Sequence, residues 1–262
     1  MEFLASIEWG YVLSGLVVGA AVGLTGVGGG SLMTPILILI FHIAPVAAVG
    51  TDLLYAAATK TVGSMMHRAH DTIDFKIVGR LALGSVPAAI LTILALNSLG
   101  ISSDKTNVLI SFVLAVALCI TAIALVFRNR MLRYYAKHVG KLGPGQTLRY
   151  TILTGAILGV LVASTSVGAG ALGVTALILL YPEMPAVRLV GSDIAHAVPL
   201  TLVAGTGHWL LGNINFALMG TLLLGSIPGI LIGSALAPRV PELLLRRAMA
   251  VVLAIVAVRL VL

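Results

Sequence analysis

Two short runs offer chemistry without charge. Thr25-Gly26-Val27-Gly28-Gly29-Gly30-Ser31 interrupts one long apolar segment, and Thr165-Ser166-Val167-Gly168-Ala169-Gly170-Ala171 interrupts another. Glycine admits positive φ and lets another group come close to the backbone. In a helix it also costs about 1 kcal/mol relative to alanine. A helix that restarts after such a break presents N–H groups with no partner and the positive end of its dipole. That is an anion site which buries no full positive charge. The amides from Val27 to Ser31 and from Val167 to Ala171 could cradle an oxyanion, and the hydroxyls of Thr25, Ser31, Thr165 and Ser166 could add donors. These residues, with Gly28, Gly29, Gly30, Gly168, Ala169 and Gly170, form the candidate substrate site.

Ionisable side chains inside apolar segments come next. Asp52 and Asp193 lie at matching places about two turns into their segments, where an unpaired carboxylate is costly. They read as proton-coupling groups, as groups that orient the site, or as buried hydrogen bonds capping a broken helix. Lys60 could attract the anion, pair with an acid, or extend its amine toward water. His196 could relay protons or be a satisfied core histidine. His67 and His208 match each other and fall at segment ends, which suits an interfacial role. His67-Arg68-Ala69-His70-Asp71 with Asp74 looks like a metal site on paper, but it reads better as a solvated polar turn. No metal or other cofactor is expected. No P-loop, G-x-S-x-G or H-E-x-x-H pattern occurs, and the lack of a P-loop argues against an ATP-driven pump within the chain.

The elements that position these groups must lie in lipid. The 262 residues are 59% hydrophobic and 10% charged, with a mean hydropathy of +1.11. A soluble domain carries about 25% charged residues. The net charge of +7 is concentrated at segment ends, which fits membrane topology rather than nucleic acid. Apolar segments are predicted at 11–25, 31–43, 45–67, 75–97, 106–127, 149–165, 171–181, 186–208, 215–236 and 242–261. Arms beside the breaks are short. Fifteen helical residues reach about 22 Å against a hydrocarbon core of about 30 Å, so each pair of arms is expected to be re-entrant or sharply broken. Cys119 lies in an apolar helix, is expected to be buried, and is the single cysteine. The first residues carry Glu2 and Glu8 but no basic group, so the chain is expected to keep its amino terminus.

The chain repeats itself. Gly15, Gly19, Thr25, Val27, Gly28 and Gly30 match Gly155, Gly159, Thr165, Val167, Gly168 and Gly170. Pro45 matches Pro185, Gly50-Thr51-Asp52 matches Gly191-Ser192-Asp193, and His67 matches His208. Gly84-Ser85-Val86-Pro87 matches Gly225-Ser226-Ile227-Pro228. The reading is a duplication: 1–127 and 149–262 are repeats, joined by a basic connector at 128–148. Arg128, Arg130, Arg133, Lys137, Lys141 and Arg149 place that connector in the cytoplasm. Counting crossings outward from it puts the amino terminus outside and every Lys and Arg inside except Lys105, Arg259 and the mid-segment Lys60. Three full crossings per half make the halves inverted. The fold class is therefore an all-α polytopic membrane protein of two inverted repeats, each a broken helix followed by three transmembrane helices, as in secondary transporters. Gly15-xxx-Gly19 and Gly155-xxx-Gly159 have the spacing of close helix contacts.

Gly23-Leu24-Thr25-Gly26-Val27-Gly28-Gly29-Gly30-Ser31 with Pro35, Pro45-xxxx-Gly50-Thr51-Asp52, the second copy around Ser166-Val167-Gly168-Ala169-Gly170, and Gly225-Ser226-Ile227-Pro228 together resemble the TauE/SafE family over essentially the whole chain. The second copy departs from a triple glycine at Ala169. The resemblance implies export of sulfite, sulfoacetate or a related sulfur oxyanion across the cytoplasmic membrane. The residues themselves supply an anion site near the midplane. The expectation is thus a secondary anion exporter working by alternating access. Alternatives are a passive channel, a carrier of thiosulfate or an organic acid, or, from another class, an intramembrane enzyme pairing Ser166 or Ser31 with His196. Expected partners are the small anion and the lipid bilayer, with no nucleic acid and with a homodimer left open.

Overall fold

The computed structural model describes residues 9–25, 30–98, 104–138, 142–236 and 241–261. Every regular element among them is an α-helix: α1 Trp9–Thr25, α2 Gly30–Leu39, α3 Pro45–Ala69, α4 Phe75–Ser98, α5 Asp104–His138, α6 Pro144–Thr165, α7 Ala171–Leu180, α8 Ala186–Leu210, α9 Phe216–Leu236 and α10 Glu242–Val261. Within α4, α5, α6, α8 and α9 lie stretches long and apolar enough to cross a bilayer. Helix α3 is as long as α8, but it buries Asp52 and Lys60. Large apolar side chains such as Leu91, Leu94, Phe112, Leu231 and Ile255 point outward, a surface suited to lipid. The expected all-helical membrane protein is what the chain forms.

Three local expectations need correction. Helix α5 runs on to His138, so the first half of the 128–148 connector is helical; no glycine or proline interrupts the sequence before Gly140. Helix α6 starts at Pro144 and has 22 residues, so its arm is not too short to span. Pro144 suits the first helical turn, and Gly143 N–H donates to Gln146 Oε1 at 3.2 Å to close it. Cys119 is exposed on α5 rather than buried.

The largest helix contacts all join one half to the other: α1 with α9, α4 with α6, α3 with α8, and α5 with α10. Glycines allow the first two. A Cβ on Gly84 would overlap the Ile152 carbonyl oxygen and one on Gly155 that of Leu81; the matching residues Gly225 and Gly15 face Val12 and Leu222 in the same way. The small-residue spacing does mark helix contacts.

Helices α3 and α8 lie at the centre and run antiparallel. Gly50, near the start of α3, meets His208 and Asn213 at the end of α8, while Gly191, near the start of α8, meets His67 and Thr72 at the end of α3. Two further bonds repeat the pattern. Asn215 N–H donates to Thr51 Oγ1 at 3.1 Å, and Asp74 N–H donates to Ser192 Oγ at 2.8 Å. Apolar clusters around Met33, Leu118 and Leu222 and around Leu53, Ile93 and Leu200 flank this pair.

Candidate functional site

The second break is built by its glycines. Helix α6 ends at Thr165, and Ser166 turns into the left-handed region at φ 60°. Gly168 and Gly170 follow at φ 122° and 118°, values that side-chain-bearing residues rarely adopt. Helix α7 then starts at Ala171. The Thr165 hydroxyl donates to Leu161 O at 2.6 Å and accepts from Val167 N–H at 3.1 Å, so that hydroxyl and that amide already have partners. Ser166 Oγ is buried with none. In the first break, Val27, Gly28 and Gly29 lie outside the described residues, Thr25 closes α1, and Gly30 opens α2. Ser31, in the first turn of α2, is buried and its hydroxyl has no partner.

Helices α3 and α8 bring the ionisable groups to these breaks. Thr34 Oγ1 donates to Asp52 Oδ2 at 2.5 Å, tying α2 to α3. Ser31 lies one turn before Thr34, on the same helical face. The Ser166 hydroxyl stands beside Asp52 without completing a hydrogen bond, and Asp52 Oδ1 has no partner. Asp193 lies against the other break. Gly173 leaves room for its carboxylate, which a Cβ there would overlap. The Gly170 amide is adjacent, yet both carboxylate oxygens lack a hydrogen bond. Lys60 lies within electrostatic reach of both acids and of His196. It is the one fully enclosed lysine or arginine among the described residues, at 5% exposure.

A second pair of contacts follows the repeat. His196 Nε2 and Ser85 Oγ are 2.8 Å apart. At the matching positions, the Tyr55 hydroxyl faces the Ser226 hydroxyl, and neither completes a bond. Buried polar groups are almost always satisfied. Here Ser31, Asp52, Tyr55, Ser166, Asp193, His196 and Ser226 each leave a buried polar atom without a partner. A cavity of about 380 Å³ has Lys60, Gly23, Gly63 and His67 in its wall. His67 Nδ1 bonds Thr72 Oγ1 at 2.8 Å, and His70 Nδ1 lies 2.8 Å from Met66 O. Among the described residues no three His, Cys, Asp or Glu side chains gather as a metal cage.

The structure therefore brings Asp52, Asp193, Lys60, His196, Ser166 and the residues around Gly170 to one centre. Sequence reading missed Thr34, Tyr55, Ser85 and Ser226. The repeated Gly-Ser-x-Pro pattern was the signal for the two serines, since a serine kept beside a kinking proline in both copies has a reason to face inward. Thr34 carried no such signal, because Val174 stands at its matching position.

Comparison with known proteins supplies the family. The chain is 41% identical over 212 residues, 80% of its own length and 83% of the relative's, to a protein of Bacillus subtilis (strain 168) called "Probable membrane transporter protein YjnA". No solved structure matches it. The family model described as "Sulfite exporter TauE/SafE" matches residues 11–260. A membrane protein with a glycine-shaped helix break at 166–170 beside a buried polar centre, matched over residues 11–260 by that model, belongs to the TauE/SafE family of sulfite exporters.

Proposed function

We propose that this protein is a secondary transporter that exports a small sulfur-containing oxyanion, sulfite or an organosulfonate such as sulfoacetate, across the cytoplasmic membrane by alternating access. The observation that carries the reading is the set of buried, unpartnered polar atoms on Asp52 and its neighbours Ser166 and Tyr55, and on Asp193 and His196. The three charged or basic groups in reach of Lys60 are Asp52, Asp193 and His196. A sulfite or sulfonate head presents several acceptor oxygens. Hydroxyls of Ser31, Tyr55, Ser166 and Ser226, the Lys60 ammonium, and amides at the second break are the complementary donors. Sites of this kind read charge and shape, so the sulfur anion is defined as a class. Asp52 and Asp193 oppose an anion unless they hold a proton or neutralise Lys60. That makes them the natural place for proton movement to couple to anion movement.

The antiparallel course of α3 and α8 supports inverted halves, the usual architecture for alternating access. Transport is favoured over catalysis because His196 faces Ser85, away from the pairing with Ser166 or Ser31 that a hydrolase would need.

Purified protein in liposomes loaded with sulfite or sulfoacetate tests the proposal. Initial efflux should saturate with concentration. Lys60→Met and Ser166→Val should each lower it by about tenfold or more, the scale expected for losing a hydrogen bond to a charged group. Lys60→Arg should retain more flux than Lys60→Met. Efflux that rises linearly without saturation would favour a channel, and full flux in both variants would remove this centre from the path.

A further inference from the structure

Where α3 and α8 meet the ends of α1 and α6, the two halves make different contacts at one equivalent pair of positions. His208 and Ala163 occupy places equivalent to His67 and Gly23. His208 is fully buried, and its Nε2 lies 2.9 Å from the Ala163 carbonyl oxygen. A carbonyl only accepts, so Nε2 carries the proton and donates. His208 Nδ1 has no partner, which leaves this bond as the ring's anchor. Helix α8 packs against α6 along the same line. In the other half the equivalent contact is open. His67 is half-buried and bonds Thr72 through Nδ1. It and Gly23 both line the cavity that reaches Lys60, and α3 makes no comparable contact with α1. Behind each ring the setting is alike: Gly191 faces His67 and the Thr72 carbonyl as Gly50 faces His208 and the Asn213 carbonyl.

We propose that His208–Ala163 and His67–Gly23 are the two gates of the path, shut in alternation, and that the structure has the His208 gate closed and the His67 gate open. The inference rests on the alternating-access reading above and adds the residues that close each side. In the opposite state His67 Nε2–H donates to the Gly23 carbonyl, and His208 releases Ala163. Each state thus makes one histidine–carbonyl bond and leaves one histidine at a water-filled cavity. Two states built from the same kinds of contact lie close in free energy, as a two-state carrier requires.

Two reporters distinguish the gates in detergent-purified protein carrying Cys119→Ser. Gly63 lines the open cavity, and a Cβ there meets only Ile194 at 3.6 Å and Ile230 at 4.0 Å, so Gly63→Cys fits. Ala204 is its equivalent in the other half and is fully buried. A charged, water-soluble thiol reagent should label Gly63→Cys quickly and Ala204→Cys slowly. Adding His208→Ala should speed labelling of Ala204→Cys by about tenfold, the size expected for removing one hydrogen bond, and should slow labelling of Gly63→Cys. His208→Gln, which keeps an N–H donor, should hold Ala204→Cys near its slow rate. The gate is overturned if His208→Ala leaves Ala204→Cys slow, or if His208→Gln accelerates it as much as His208→Ala does. A His208→Ala protein that loses its monodisperse profile is replaced by His67→Ala, for which Gly63→Cys must stay fast and Ala204→Cys slow even with sulfite added; slowing of Gly63→Cys would also overturn the gate. Labelling needs no substrate. A protein that shows these shifts but moves no sulfur anion keeps its gates and loses the substrate proposal; one that moves sulfite without the shifts does the reverse.

Discussion

Asp52 and Asp193 occupy the same place in the two halves but are held differently. Thr34 gives one oxygen of Asp52 a hydrogen bond, whereas Asp193 has none on either oxygen. The cause is one substitution in the repeat, since Val174 stands where Thr34 would recur. Removing a partner from a buried acid costs about 1–3 kcal/mol. Thr34→Val should therefore lower the melting temperature of the detergent-solubilised protein clearly, and Thr34→Ser should lower it less. Val174→Thr should act in the opposite sense, gaining up to about 1 kcal/mol if its hydroxyl reaches Asp193. An unchanged melting temperature would mean that the hydroxyl bonds the carbonyl one turn back in α7 instead. At this scale the sequence was informative where the copies agree. Asp52, Asp193 and the Ser166 break stood out because they recur. Thr34, and the pairing of Tyr55 with Ser226 against His196 with Ser85, were hidden because the copies differ there and only three-dimensional contact joins them.

Helix pairing was legible for a different reason. Glycine at every fourth position can only be tolerated in apolar sequence if another backbone fills the space, so Gly15, Gly19, Gly155 and Gly159 marked contact faces in advance. What spacing cannot encode is the partner. That α1 pairs with α9 and α6 with α4, each across the halves, follows from contacts such as Gly155 against Leu81. Element ends were least legible where charge was mistaken for loop: α5 continues through Arg128 and Arg130 because nothing in that stretch breaks a helix. Two glycines of α4 separate propensity from packing. Gly79 is exposed, with nothing near the position of an added Cβ, whereas Gly84 faces the Ile152 carbonyl directly. Gly79→Ala should stabilise the protein by about 0.5–1 kcal/mol. Gly84→Ala should destabilise it by about 1–3 kcal/mol through overpacking. Thermal unfolding of the two variants side by side decides the matter; equal effects would mean that the α4–α6 contact is looser than the structure has it.

For the whole molecule, duplication and membrane orientation make one linked prediction. Lys76 and Ala217 are equivalent residues in the first turns of α4 and α9, and both are exposed. A duplication with parallel halves would put them on the same side of the membrane. The antiparallel α3 and α8 put the turns that follow them, and hence Lys76 and Ala217, at opposite ends of the helix bundle. From the concentration of basic residues around Arg68, Lys76 and Arg80, against none from 209 to 215, we predict Lys76 in the cytoplasm and Ala217 outside. In cells expressing the Cys119→Ser protein, a membrane-impermeant maleimide should label Ala217→Cys without permeabilisation and Lys76→Cys only after it. Labelling of both from outside, or of neither, would place equivalent residues on one side and remove the inverted architecture. Labelling of Lys76→Cys alone would keep the inversion and turn the protein over, which would put the open cavity beside His67 on the outer face and reverse the side from which the anion first meets Lys60.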